Sequence, residues 1–169
     1  MRSIFGRINI ANTPVNQELF NISIDALAVF AGCTKETSAH EKECFGRVNF
    51  GSSPTKPWPD DNSNLILLSD SAIYNTQELR KPLDLDEKAS DDDVIIYKAY
   101  EKWGKNCVHY LMGDFAFAIW NPDTKELFCA RDHLGVKPFH YYFDENTFIF
   151  STDIASILEQ DDLNFNLDE

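Results

Sequence analysis

Apolar residues in this chain recur either at alternate positions or in short unbroken runs. Ile4–Ile10 alternates apolar with small or polar side chains, and Cys44–Phe50 and Leu65–Ser69 are short apolar runs. This patterning predicts three strands. Phe115–Trp120 (FAFAIW) is a continuous apolar run with bulky and small residues in alternation, which suits a strand buried on both faces. Leu127–Ala130, Phe139–Phe143 and Thr147–Ser151 follow, separated by the turn-like NPDTKE and DEN. Turns this short imply antiparallel pairing.

Helix signals are fewer. Asn75 followed three residues later by Glu78 has the spacing of a capping box and predicts a helix through about Leu83. Ser90 followed by Asp91, Asp92 and Asp93 is a sharper start, because carboxylates in a first turn complement the unpaired amides and the positive end of the helix dipole. That helix runs to Trp103, with Gly104 as the left-handed residue after its end. Weaker patterns place helices over Ser23–Ala31, Lys105–Leu111 and Asp153–Gln160. Strand, helix, strands, helices and a strand meander predict an antiparallel sheet sandwich with helices outside. Without repeats or low-complexity linkers, residues 1–169 read as a single domain.

The composition fits one folded domain: 169 residues, 43% of them hydrophobic and 13% aromatic. It holds 28 acidic against 15 basic residues, a net charge of −13, and eight acidic residues but no Lys or Arg follow Lys137. Phosphates would be repelled, which argues against nucleic-acid and anionic-membrane partners. No run approaches the roughly 18 apolar residues of a membrane span. The N-terminal residues lack the apolar core of a secretory signal, so a cytoplasmic location is expected. Cys33, Cys44, Cys107 and Cys129 stand singly and read as reduced, buried thiols. Neither they nor the four histidines have metal-ligand spacing.

Five segments then change the picture: LILLSDSAIYNTQELR, SDDDVIIYKAYEKWG, YLMGDFAFAIWN, ARDHLGVKPFHYY and FIFSTDIASIL. In order and spacing they resemble the class II glutamine amidotransferase domain of asparagine synthetase-like enzymes, from about Leu65 to Leu158. The resemblance implies an α+β N-terminal-nucleophile hydrolase fold, a four-layer αββα sandwich of two antiparallel sheets. It also implies a chemistry. A terminal Cys, exposed by removal of the initiator Met, attacks the glutamine side-chain amide with its own α-amino group as base. An Asn side chain and a Gly N–H donate to the oxyanion, while an Arg and an Asp hold the substrate's carboxylate and ammonium.

This sequence departs from that pattern at most catalytic positions. The family's Met-Cys-Gly-Ile-x-Gly reads Met1-Arg2-Ser3-Ile4-Phe5-Gly6 here. Arg2 has no nucleophilic chemistry at neutral pH, and its bulk is expected to keep Met1 in place. Ser3 stands one residue late and would act only if Met1 and Arg2 were both removed. The Asn-Gly oxyanion pair aligns with Asp70-Ser71; an ionised Asp accepts hydrogen bonds and repels an oxyanion. Locally, Asp70 reads as a residue of a turn or of the approach to a helix. Gly-His-Arg aligns with Gly46-Arg47-Val48, which puts Val48 at the Arg position and Arg47 one residue early, where only a bulge could re-aim it. Asp91 keeps the ammonium-binding position. Arg131, Asp132, Gly135, Lys137 and Pro138 read as the staple of an inter-strand turn, and Phe115, Phe117 and Trp120 as core.

The stretch FGRVNFGSSPTKPW with SDSAIYNTQEL is similar to the lasso-peptide cyclase and β-lactam synthetase branch, in which the glutaminase half is often vestigial. No pyrophosphate loop of the synthetase half is found in the sequence. The expectation is therefore a degenerate glutaminase-like domain that scaffolds or docks an ATP-dependent amide-forming domain or subunit, with glutamine or another amino acid as its candidate ligand. No cofactor is expected in this domain; ATP and Mg belong to the synthetase half. The alternatives are an active or atypical glutaminase supplying ammonia to an asparagine synthetase, and a non-catalytic amino-acid sensor.

Overall fold

The computed structural model describes residues 1–11, 13–51, 64–85 and 91–163. Eight strands and four α-helices follow one another as β1 Arg2–Asn9, α1 Gln17–Leu27, β2 Thr34–Ala39, β3 Glu43–Asn49, β4 Ile66–Ile73, α2 Thr76–Arg80, α3 Asp92–Trp103, β5 Gly113–Asn121, β6 Glu126–Arg131, β7 His140–Phe143, β8 Thr147–Ser151 and α4 Ile154–Leu158. A 3₁₀ segment, Gly104–His109, follows α3. The chain forms two compact units, Met1–Gly51 with Phe139–Glu169, and Ser52–Pro138.

The first unit holds a five-stranded antiparallel sheet in the order β2-β3-β1-β8-β7. Pairing of β1 with β3 is unbroken from Arg2↔Asn49 to Ile8↔Glu43. Phe5, Cys44, Val48 and Ile149 meet Phe20, Ile24 and Leu27 of α1 in one buried cluster. Those three α1 residues recur at i, i+4 and i+7, a helical stripe. The helix therefore lies six residues earlier than the Ser23 start expected from sequence. Its start is fixed by Asn16, whose side chain accepts the N–H groups of Glu18 and Leu19 at 3.0 and 3.3 Å.

In the second unit the antiparallel sheet runs β4-β5-β6. Leu67, Phe115, Phe117 and Ile119 of this sheet pack against Ile95 and Ile96 of α3. Every residue from Phe115 to Trp120 is buried, as a strand covered on both faces requires. Gly104 takes φ +57 after α3, in keeping with its expected role. The sequence-expected helix over Lys105–Leu111 is instead the 3₁₀ segment.

Two caps differ from expectation. Asp91, rather than Ser90, caps α3, accepting the Asp93 N–H at 3.0 Å; Ser90 lies outside the described residues. Asn75 makes no side-chain cap to α2. Its amide is taken instead by the segment before β5, donating to the Tyr110 carbonyl at 2.9 Å and accepting the Met112 N–H at 3.0 Å. The four cysteines are free thiols. Among the described residues, no helix is long and apolar enough to cross a membrane, and no cluster of three His, Cys, Asp or Glu is arranged to hold a metal.

Candidate functional site

Antiparallel pairing in the first unit brings four of the candidate residues together. Arg2 stands opposite Asn49, Ser3 opposite Val48 and Ile4 opposite Arg47. Val48 belongs to the α1 core, so alternation puts Arg47, Asn49 and Arg2 on the sheet's other face and Ser3 on the α1 face. Ser3 thus cannot take the place of Arg2 without a one-residue slip that would reverse every side chain of β1. No bulge interrupts β3, so Arg47 is not re-aimed onto the face of Val48.

Arg47 is 1% exposed, and a buried guanidinium requires an anionic partner. That partner is Glu36 of β2, whose carboxylate receives the Arg47 Nε–H and also the Asn49 amide at 2.8 Å. Glu36 carries no signal in the sequence, because Thr34–Ala39 (TKETSA) has no apolar alternation.

The second unit gathers the rest. Asp70 and Ser71 lie inside β4, rather than in a turn or on the approach to a helix. The strand outlasts its apolar run because Asp70 to Ile73 continue the pairing with β5, Asp70↔Ala116 through Ile73↔Gly113. On the α3 face, the Ser69 hydroxyl donates to the buried Asp93 carboxylate and lies 3.2 Å from the Ser71 hydroxyl. The Asp92 carboxylate accepts the Ile73 N–H at 3.2 Å. Asp91, the expected ammonium ligand, caps α3 beside them.

Asp70 points the other way. It is 6% exposed, and its carboxylate receives the Lys137 ammonium at 2.8 Å. Lys137 is held there by a rigid loop. Asp132, also 6% exposed, accepts the N–H groups of Leu134 and Val136 on Oδ1 at 3.1 and 2.9 Å, and those of Phe115 and Lys137 on Oδ2 at 3.3 and 3.0 Å. Burial alone would raise the Asp132 pKa, but these four donors outweigh it and hold the carboxyl below its ordinary value. Arg131 closes the loop by donating to the Gly135 and Lys137 carbonyls at 2.6 Å each.

Chemically, Asp70, the expected counterpart of the family's hydrogen-bond donor, is a buried carboxylate tied to an ammonium. Nor do Cys44, Cys107 and Cys129 offer a nucleophile. Burial pushes Cys44 and Cys129 up to about 12 and Cys107 up to about 11, so all three stay protonated at neutral pH.

Comparison with known proteins agrees with this architecture. The family described as "Glutamine amidotransferase domain" matches residues 34–169. The chain is 39% identical over 104 residues to a putative glutamine-hydrolysing asparagine synthetase 2 of Methanocaldococcus jannaschii, covering 62% of this chain and 20% of that protein. It is 39% identical over 106 residues to asparagine synthetase 3 of Bacillus subtilis, covering 60% of this chain and 17% of that one. It therefore spans about a fifth of these relatives. Among solved structures, the glutamine phosphoribosylpyrophosphate amidotransferase of B. subtilis superposes on 92% of this chain and 42% of its own with a TM-score of 0.72 at 14% identity. That likeness shows the fold, which is the N-terminal-nucleophile hydrolase fold expected from the sequence. The matched residues include Asp70, Asp91 and Lys137, while Arg2 precedes them. This chain belongs to the glutamine amidotransferase domain family.

Proposed function

We propose that this domain no longer hydrolyses glutamine and acts as a scaffold or docking domain for an ATP-dependent, amide-forming enzyme of the asparagine synthetase type. The observation that carries the reading is the Asp70–Lys137 pair. A tetrahedral oxyanion needs donors aimed at it; a fixed carboxylate offers only acceptors and a like charge. Losing one oxyanion donor lowers turnover by about 100- to 1000-fold, and a carboxylate in its place opposes the transition state further. Arg2 at the nucleophile's register supports the same reading, since a guanidinium stays protonated and cannot attack. The partner is inferred from the relatives, which are named as asparagine synthetases and extend well beyond the matched region. ATP and Mg are assigned to that partner and not to this domain.

Incubating the purified chain with glutamine and measuring ammonia tests the proposal. Release at the rate of the buffer blank is the expected result. Turnover above the blank would overturn it: loss of that turnover to a cysteine-reactive inhibitor would assign it to a thiol, whereas insensitivity together with an intact mass lacking Met1 and Arg2 would point to Ser3.

A further inference from the structure

β7 is an edge strand, with β8 on one side and no strand on the other among the described residues. Along this hairpin the Asp144 N–H donates to the Thr147 carbonyl at 3.0 Å. Hydrogen-bonded pairs alternate from there, so Tyr142↔Ile149 is the next, and Tyr141 and Phe143 turn their backbone N–H and C=O groups away from β8. Their side chains are 68% and 63% exposed. Both rings lie beside Phe148, at 6.0 and 6.1 Å between centroids. Tyr142 lines a cleft of about 340 Å³ with Ile154, Ile157 and Leu158 of α4. The charges bordering this surface in sequence have one sign: Asp144 and Glu145 at the hairpin turn, Asp153 before α4 and Glu159 after it, with no Lys or Arg anywhere beyond Lys137.

We infer that the β7 edge and the α4 cleft together form a docking surface for one extended segment of a partner protein, a short apolar run flanked by Lys or Arg. The segment's backbone pairs with the outward groups of Tyr141 and Phe143. Its apolar side chains alternate between the exposed rings on one face of β7 and the cleft on the other, and its flanking cations meet the acidic border. A second copy paired β7 to β7 does not suit the surface, because it would bring together the acidic borders of two chains of charge −13. The inference rests on the scaffold reading for the identity of the partner, and on β7 and α4 alone for the surface.

Amide hydrogen exchange of the full chain, with and without a synthetic peptide holding a short valine run flanked by lysines, tests it. The peptide is expected to protect the Tyr141 and Phe143 amides, and the same run flanked by glutamates is expected not to. Tyr141→Pro removes an outward N–H that the ladder to β8 does not use; Leu158→Asp places a charge in the cleft. Each should weaken binding by about tenfold or more while leaving the circular dichroism spectrum unchanged. Protection confined to other amides, affinity untouched by both variants, or no binding at all overturns the surface. Glutamine turnover would overturn the scaffold reading and leave this measurement as it stands.

Discussion

Asp132→Ala removes the acceptor that organises the loop carrying Lys137, and its effect can be worked from the four bonds. Leu134 and Val136 are 88% and 54% exposed, so their amides find water when the carboxylate is gone. The Phe115 amide belongs to a residue only 1% exposed, and the Lys137 amide is fixed by the turn that Arg131 closes. A hydrogen bond to a charged group contributes about 1.5–3 kcal/mol. Two such bonds at the low end, with a few tenths for each solvated amide, give about 4 kcal/mol. In a domain of this size that lowers Tm by about 8–16 °C. Asp132→Asn should recover only part of it, losing about 2–3 kcal/mol, because one oxygen replaces two and the new NH₂ faces N–H donors. Scanning calorimetry and urea titration measure both variants. The sign of the pH dependence follows from the depressed carboxyl. Its stabilisation is complete above the ordinary carboxylate range near 4 and is lost as pH falls through the lower folded value. The advantage of wild type over Asp132→Asn should therefore shrink only below about pH 4. Equal Tm values for the two at pH 7, or a gap that persists undiminished to pH 2, would refute the reasoning.

Three further outcomes are expected. Gly113 takes φ +155, and a Cβ there would run into the Ala72 carbonyl oxygen and reach the Ile73 Cα at 3.0 Å, so Gly113→Ala should destabilise the chain by about 2–4 kcal/mol in urea titration; a loss under 1 kcal/mol would count against this backbone geometry. Gln160 is fully buried, accepts from Arg7 at 2.5 Å and donates to Leu19 O and Ser23 Oγ at 3.0 and 2.7 Å. Gln160→Leu should remove about 2–3 kcal/mol through the partners it strands, and a neutral result would mean those groups re-pair elsewhere. At pH 8 a thiol reagent should label half-buried Cys33 first, half-buried Cys129 more slowly because its raised pKa keeps it protonated, and buried Cys44 and Cys107 only on unfolding; fast labelling of Cys44 or Cys107 would contradict that.

Strands with apolar alternation were legible before any coordinates. β5 announced its two-sided burial through FAFAIW, and β8 ran from Thr147 to Ser151 as read. β2 was invisible, because TKETSA is polar on both faces and exists as a strand through its pairing with β3. The end of β4 is hidden for a related reason. Asp70 and Ser71 look like turn residues until Lys137, 67 positions away, and Asp93, on a helix, satisfy the strand's polar groups. The candidate site divides along the same line. Motif spacing located Arg2, Arg47, Asp70 and Asp91, but not the partners that decide their chemistry. Glu36 meets Arg47 through the pairing of β2 with β3 in the first unit, and Lys137 meets Asp70 from 67 positions away in the second; a local pattern carries no information on either.

The two borders of the five-stranded sheet are unlike. At one end β2 presents threonine, lysine, glutamate and serine, with Lys35 tied to Asp25 of α1 at 2.6 Å; at the other, β7 presents bare aromatic rings. Charged flanks discourage further strand addition. Growth of this sheet is therefore one-sided: whatever strand joins at β7 finds no matching border on a second molecule to continue the series. One strand added at β7 ends the series, which disfavours open-ended fibres.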